Sequence, residues 1–306
     1  MIRANKKLIF KTVEEAQNNI HRIHHIDKEG FTSLFFCEDL DVVSFLIKNG
    51  LNVNHQSKKG VSPLMLSVSC PYDDIQKEQL LLDNGADVNL LDKNNENALF
   101  YANGLTYVQM LVEHGINIHQ RSKYGHNILA HMLHLEAYET YEYLLHLGVD
   151  PDNKDCDGEN ILFQGELGLN SIKEVISYGA DVLHINNHGQ NVLRSAFSPE
   201  IMEYFIEQGV DPLVIDDDGH NLYFQKANHY NNDIFDVIAK YDIDINKVNN
   251  KQENLIQYLL SDIDNYKDIM DRLKPYYEEK INKFVSLGFI MDSKTEKLIQ
   301  EKIYNA

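Results

Sequence analysis

One stretch of sequence returns every thirty-odd residues, and that return confines the chain to a linear stack of like units. A representative copy reads Gly115-Ile116-Asn117-Ile118-His119 and then Lys123-Tyr124-Gly125-His126-Asn127-Ile128-Leu129. A helix-ending glycine leads into a short extended piece and a polar turn with a second glycine. A polar cap residue and the apolar start of the next helix follow. Seven copies superpose without gaps in this turn. Gly50, Gly85, Gly115, Gly148, Gly179, Gly209 and Asp242 hold the first position, and Gly60, Asn95, Gly125, Gly158, Gly189, Gly219 and Gln252 stand ten residues later. Each unit is too small to bury its apolar face alone, so neighbours must stack to form a core.

With Gly30 added in front, the second markers are spaced by 30, 35, 30, 33, 31, 30 and 33 residues. Phrases such as Asn84-Gly85-Ala86-Asp87-Val88-Asn89 and Gly60-Val61-Ser62-Pro63-Leu64 closely resemble the ankyrin consensus, whose unit is about 33 residues. The resemblance covers residues 27–260. It implies an all-α ankyrin-repeat solenoid of helix pairs with β-hairpin-like turns, and non-catalytic protein binding. The pattern departs from the family's Thr-Pro-Leu-His motif. Only Ser62-Pro63-Leu64 keeps the proline, and the final histidine is replaced throughout by residues such as Phe100, Phe163, Arg194 and Gln257. Asn97, Asn127, Asn160, Asn191, Asn221 and Asn254 open the inner helices instead, as residues that accept hydrogen bonds from early helical N–H groups.

The ends read as caps, which solenoids need for solubility. Residues 1–26 contain a capping box, Thr12-Val13-Glu14-Glu15, and a helix with Val13, Ala16, Ile20 and Ile23 on one face. Residues 261–306 hold an irregular last repeat and capping helices. Pro275 is expected to break or kink the run 262–287, and Ser293-Lys294-Thr295-Glu296 to open a final helix through Ile303.

Three scattered cysteines, Cys37, Cys70 and Cys156, do not make a disulfide framework. No signal-peptide core and no run of about 20 apolar residues is present, so a reducing cytoplasm and no membrane contact are expected. Net charge is −19, and residues 150–244 carry 19 acidic against 5 basic side chains. That field disfavours nucleic acid and would steer a basic protein toward this surface.

Searches for chemistry return little. Asn153-x-Asp155-x-Asp157-Gly158 resembles half of an EF-hand loop, but Gln164 stands where a bidentate Glu is needed. His21/His25 and His131/His134 lack a third ligand nearby. Phosphate loops are absent, and no base is spaced to serve a cysteine nucleophile. In the 261–288 insertion, Glu278-Glu279 and Asp262/Asp264 read as solvated helix faces rather than a catalytic cluster. No cofactor, metal or catalytic residue is expected.

By the resemblance, a partner would touch the inner helices and turn tips. Register selects Phe36, Leu66, Tyr101, His131, Gln164, Gln225 and Tyr258 on the inner helices, and Tyr124, Asp155, Asp157, His188, Asp216, Asp217 and Asp218 at the tips. Aromatic residues make good anchors. The short repeats with Asn caps look like bacterial ankyrin arrays, some of which serve as immunity proteins for toxin domains. The expectation is a protein, monomeric on its own, that binds and neutralises a basic partner such as a toxin. The alternative is a secreted bacterial or viral effector that recruits a host protein.

Overall fold

The computed structural model describes residues 9–70, 75–134, 138–165, 167–261, 263 and 270–304. The described residues form helices and turns, with one isolated antiparallel bridge, Ile185–Asn191. The chain divides into two compact units, Met1–Asp150 and Pro151–Ala306.

Within each unit the repeat is built from three local devices. The first ends the outer helix. At Leu40–Lys48, Gly50 N–H donates to Ile47 and Leu51 N–H to Leu46, the paired bonds of a left-handed glycine cap. The same pair of bonds recurs at Gly85, Gly115, Gly148, Gly179, Gly209 and Gly288, each with positive φ. Asp242 breaks the pattern: its φ is not left-handed, and Tyr241 N–H bonds to Ile238 instead. Apolar residues after each glycine (Leu51, Ile116, Val149, Val210 and Phe289) then fold onto the core.

The second device is the turn. Gly60 N–H donates to Ser57 O (2.9 Å) and Ser57 N–H to Val61 O (2.9 Å). This is a type I turn closed by a left-handed residue, the three-residue hairpin connection. Asn95 and Gln252 adopt the same left-handed backbone at φ 63° and 61° without being glycine. The residue three before each second marker braces the turn with its side chain. Asp92 Oδ1 accepts from Asn94 N–H (2.7 Å) and Glu96 N–H (2.9 Å), and Asp27, Ser57, Asn186 and Asn249 act alike.

The third device joins repeats. A tip N–H of one turn donates to the preceding turn, as at Lys58→Glu29, Lys93→Lys59, Lys123→Asn94, Asn187→Asp157, Asp217→His188 and Asn250→Asp218. The asparagine caps add a second link. Asn191 Oδ1 accepts from Leu193 N–H (3.1 Å) while its Nδ2 donates to Asp211 O (2.7 Å) in the next repeat. Asn97, Asn127, Asn160 and Asn221 do the same to Asn117, Asp150, Asp181 and Asp244.

Several expected elements differ. Most inner helices are single turns: Ser33–Phe35, Ala98–Tyr101, Ile161–Gln164 and Val192–Ser195 are 3₁₀, and Leu222–Gln225 is one α-turn. Only 18 residues separate cap and glycine at Thr32–Gly50, Asn97–Gly115 and Asn191–Gly209, and the inner helix is the part that is shortened there. The first helix stops at Asn18, and Ile20 lies 47% exposed, so the buried face is Ala16 and Ile23. Thr12 caps Glu15 N–H as expected, and the Glu15 carboxylate takes Lys11 N–H. The long helix Met270–Ser286 runs through Pro275 and is not broken there. The final helix is capped by Asp292 rather than Ser293, because Asp292 Oδ1 takes Thr295 N–H at 2.7 Å. Helix Ser293–Ile299 then passes into a π-turn over Gln300–Tyr304. Asp262 and Asp264 lie outside the described residues.

Candidate functional site: the turn tips and inner turns

The register that builds the repeats also sets which side chains face out beside the turns. In the first unit, Phe36 is half-buried against Phe31 (5.4 Å between ring centres), and Leu66 is half-buried. His131 is half-buried with its ring 5.8 Å from Phe100. Tyr101 is half-buried, and its hydroxyl donates to Asp92 Oδ2 at 2.8 Å. Burial first, then that carboxylate, pushes its phenol far above the usual range. Tyr124 stands 53% exposed at its tip, with Lys123 Nζ 4.8 Å over its ring.

In the second unit the acidic candidates separate into two kinds. Asp155 and Asp216 are turn braces. Asp155 Oδ1 accepts from Asp157 and Glu159 N–H (2.9 Å each), and Asp216 Oδ1 from Asp218 (3.1 Å) and His220 (2.9 Å). Asp216 is buried, and its other oxygen takes Gln190 Nε2 at 3.0 Å. These two carboxylates are therefore committed to holding the fold, and a partner surface need not involve them. Among the described residues no group of three or more His, Cys, Asp or Glu side chains is placed to hold a metal.

Asp157, His188, Asp217 and Asp218 come together instead. With Glu159, Gln190 and Arg194 they line an open groove of about 440 Å³. Four carboxylates face one guanidinium there. Arg194 Nη1 lies 2.5 Å from Glu159 Oε1, which also receives Asn186 Nδ2 at 2.8 Å. His188 Nε2 lies 3.7 Å from Asp157 Oδ1, both side chains well exposed. The carboxylates of Asp157, Asp217 and Asp218 are left toward solvent, in reach of an incoming cation. Glu159, Gln190 and Arg194 were missed by reading tips and inner positions alone. The first two directly follow second-marker glycines, and Arg194 stands where the family has histidine, so register could have found all three.

Gln164, Gln225 and Tyr258 lie half-buried on inner turns. Gln225 Nε2 is 3.5 Å from Asp216 Oδ2, and Tyr258 packs at 4.7 Å on His220 and 5.4 Å on Phe224. Tyr258 is thus partly spent on stacking rather than free as an anchor.

Residues 70–155 match the family model for ankyrin repeats, in three copies. The chain carries ankyrin repeats. An ankyrin repeat protein of Acanthamoeba polyphaga mimivirus is 25% identical over 231 residues, 73% of this chain and 29% of that protein. An L-asparaginase of Dirofilaria immitis is 23% identical over 192 residues, 59% of this chain and 32% of that protein. The ankyrin chain thus spans about a third of the length of these curated relatives. The crystal structure of the human ASB11 ankyrin repeat domain is similar at a TM-score of 0.52 and 21% identity, covering 60% of this chain and 85% of that one. That likeness shows the ankyrin fold. Ankyrin repeats imply protein–protein interaction, and no described helix is long and apolar enough to cross a membrane.

Proposed function

We propose that the chain is a non-catalytic, cytoplasmic ankyrin-repeat inhibitor, of the immunity-protein kind, that binds and neutralises a basic partner. The groove between Asp157, Glu159, Asp217 and Asp218 carries this reading, because it gathers exposed carboxylates around one already paired arginine. A lysine or arginine of the partner entering it gains charge-assisted hydrogen bonds. The excess of 14 negative charges over residues 150–244 raises the encounter rate with such a partner. Cys37, Cys70 and Cys156 form no disulfide, which suits a reducing compartment.

Affinity capture from a native lysate, eluted by a salt gradient, tests it. The expected result is a basic protein released by salt, whose activity the chain inhibits and whose capture fails with Asp157→Asn/Asp217→Asn/Asp218→Asn. A neutral, salt-resistant partner retained by that variant would overturn it. A second reading, an effector that recruits a host protein, is favoured by the viral relatives from mimivirus and fowlpox virus. It predicts capture of a host protein with no inhibited activity.

A further inference from the structure

In the first unit, the positions four and six residues after each helix-ending glycine are mostly polar and tie repeats together. Asn54 donates to Gly85 O (2.8 Å) and accepts from Asp87 N–H (2.8 Å). Asn89 does likewise with Gly115 O (3.2 Å) and Asn117 N–H (2.7 Å), and Gln56 donates to Leu91 O (2.9 Å). In the second unit the equivalent positions are Leu183, Ile185, Leu213 and Ile215, with Val248 at the sixth position of the next repeat. They are 56%, 49%, 52%, 49% and 42% exposed. Aliphatic side chains half in water at corresponding places in successive repeats serve no core.

They form one ridge. The tip-to-tip bonds Asn187→Asp157, Asp217→His188 and Asn250→Asp218 hold these turns in register. Leu183 leans on its neighbour, since a Cβ built at Gly209 would sit 3.9 Å from Leu183 Cδ2. Carboxylates run along the ridge's edge, bonded to its own backbone. Asp181 Oδ1 accepts from Leu183 N–H and Asp211 Oδ1 from Leu213 N–H (2.9 Å each), and Asp244 Oδ1 accepts from Asn246 N–H (2.8 Å). All three aspartates are exposed.

We propose that this ridge docks an amphipathic helix of a partner protein, with an apolar stripe flanked by lysine or arginine. Helical repeats stack about 8–10 Å apart, and seven residues of helix rise about 10.5 Å. Anchors at i, i+7 and i+14 therefore meet successive repeats, and neighbours at i+3 or i+4 fill the second row. Charge selects this occupant over a second copy of the chain. A second copy would bring its own line of aspartates against Asp181, Asp211 and Asp244, whereas basic flanks complement them. None of the five ridge residues lines the acidic groove, so the ridge stands whether or not that groove binds a basic partner.

The test is selection of a displayed random peptide library, about 16 residues long to span three anchors, on the full chain. The expected winners are net positive, carry apolar residues at i, i+3/i+4 and i+7, and bind Leu213→Ser/Ile215→Ser at least about tenfold more weakly. Asp157→Asn should change their affinity less than about twofold. Leu183→Ser/Ile185→Ser, on the neighbouring repeat, gives an independent reading, and each variant is first matched to the parent in urea unfolding. Winners that are acidic or not amphipathic, that bind ridge variants equally, or that fail to emerge at all would overturn the proposal. So would a dimer in sedimentation that the ridge substitutions dissolve, because the ridge would then belong to a second copy.

Discussion

Asparagine, rather than any other cap residue, opens six of the inner turns because one side chain makes two bonds. Serine or threonine supplies an acceptor for the helix N–H groups, but asparagine also carries an amide donor that reaches the next repeat. Thr32 shows the difference, since it has no side-chain cap bond and its buried hydroxyl finds no partner. Asn191→Asp keeps the acceptor and replaces the donor to Asp211 O with a carboxylate oxygen. It should cost about 1–3 kcal/mol, read as a lowered urea midpoint with unchanged slope. Glycines separate by the same logic. Gly115 and Gly158 both have left-handed φ, 78° and 74°, but a Cβ at Gly115 meets nothing within 4 Å, whereas at Gly158 it would lie 2.6 Å from Asn187 Oδ1. Gly115→Ala should cost about 1–2 kcal/mol for backbone alone, and Gly158→Ala clearly more, in the same unfolding measurement. At this scale the sequence was highly legible in kind. The second markers, asparagine caps and glycine stops stand where their spacing put them, and only Asp242, Thr32 and Ser293 depart from the expected roles. The second bond of each asparagine was not legible, nor was the bracing duty of Asp155 and Asp216, because both depend on where backbone groups end up in the folded turns.

Among elements, the long helix Met270–Ser286 is fastened to the repeat before it by polar contacts as well as by Phe284 on Phe235 (5.0 Å). Tyr276 donates to Asn228 O (3.0 Å), Lys283 Nζ reaches Asp236 Oδ1 (2.7 Å), and Lys280 Nζ donates to His229 O while lying 4.8 Å over the Phe235 ring. One repeat earlier, buried Lys226 donates to Arg194 O (2.5 Å) and Ala196 O (2.6 Å). Burial pulls Lys226 down to about 7, with Arg194 adding repulsion, and pulls Lys280 to about 8. An unfolded lysine titrates near about 10.4, so from pH 7 upward the unfolded chain holds more protons and stability rises with pH. The gain ends near pH 10. There the buried phenols of Tyr223 and Tyr276, raised by burial, keep protons that the unfolded chain releases, and stability turns down. Thermal melts from pH 6 to about pH 11 should show a climb above 7 and then a decline above about pH 10. Lys226→Met should flatten the lower part of the climb, and an unchanged slope in that variant would refute the assignment. Neither lysine announces itself in sequence. A lysine in a helical run reads as surface, and only the carbonyls left over by a one-turn inner helix draw Lys226 inward.

For the whole molecule, charge is the property most readable beforehand and least dependent on detail. The acid excess of residues 150–244 does not require any particular side-chain position, so its kinetic effect on a basic partner is expected to be steeply salt-sensitive. Association rates measured between about 50 mM and 500 mM salt should fall by more than about tenfold while dissociation changes little. The inverse pattern would assign the charge to solubility. The composition told less about where acidity collects, because the exposed groove forms only when Asp157 and Glu159 are brought into line with Asp217 and Asp218 two turns further on, across the turn that carries His188.

The forward-reaching amide also finds its partner where the regular repeat gives way to a different segment. Asn254 Nδ2 donates to Thr295 Oγ1 at 2.7 Å in helix Ser293–Ile299, where the earlier caps reach a carbonyl of the next regular repeat. Asn246, which elsewhere would bond to the next regular repeat, meets Gly288 O and Ile290 N–H beyond the long helix. Gly288, Ile290 and Thr295 therefore behave as an adaptor does, offering the groups that a regular repeat offers elsewhere from a segment of different shape. Thr295→Val would leave the Asn254 amide unanswered: amide exchange should quicken in residues 254–260 first and fade toward Pro151, and a copy of the repeat spliced in before Asn254 should be accepted because it offers the same groups on both sides.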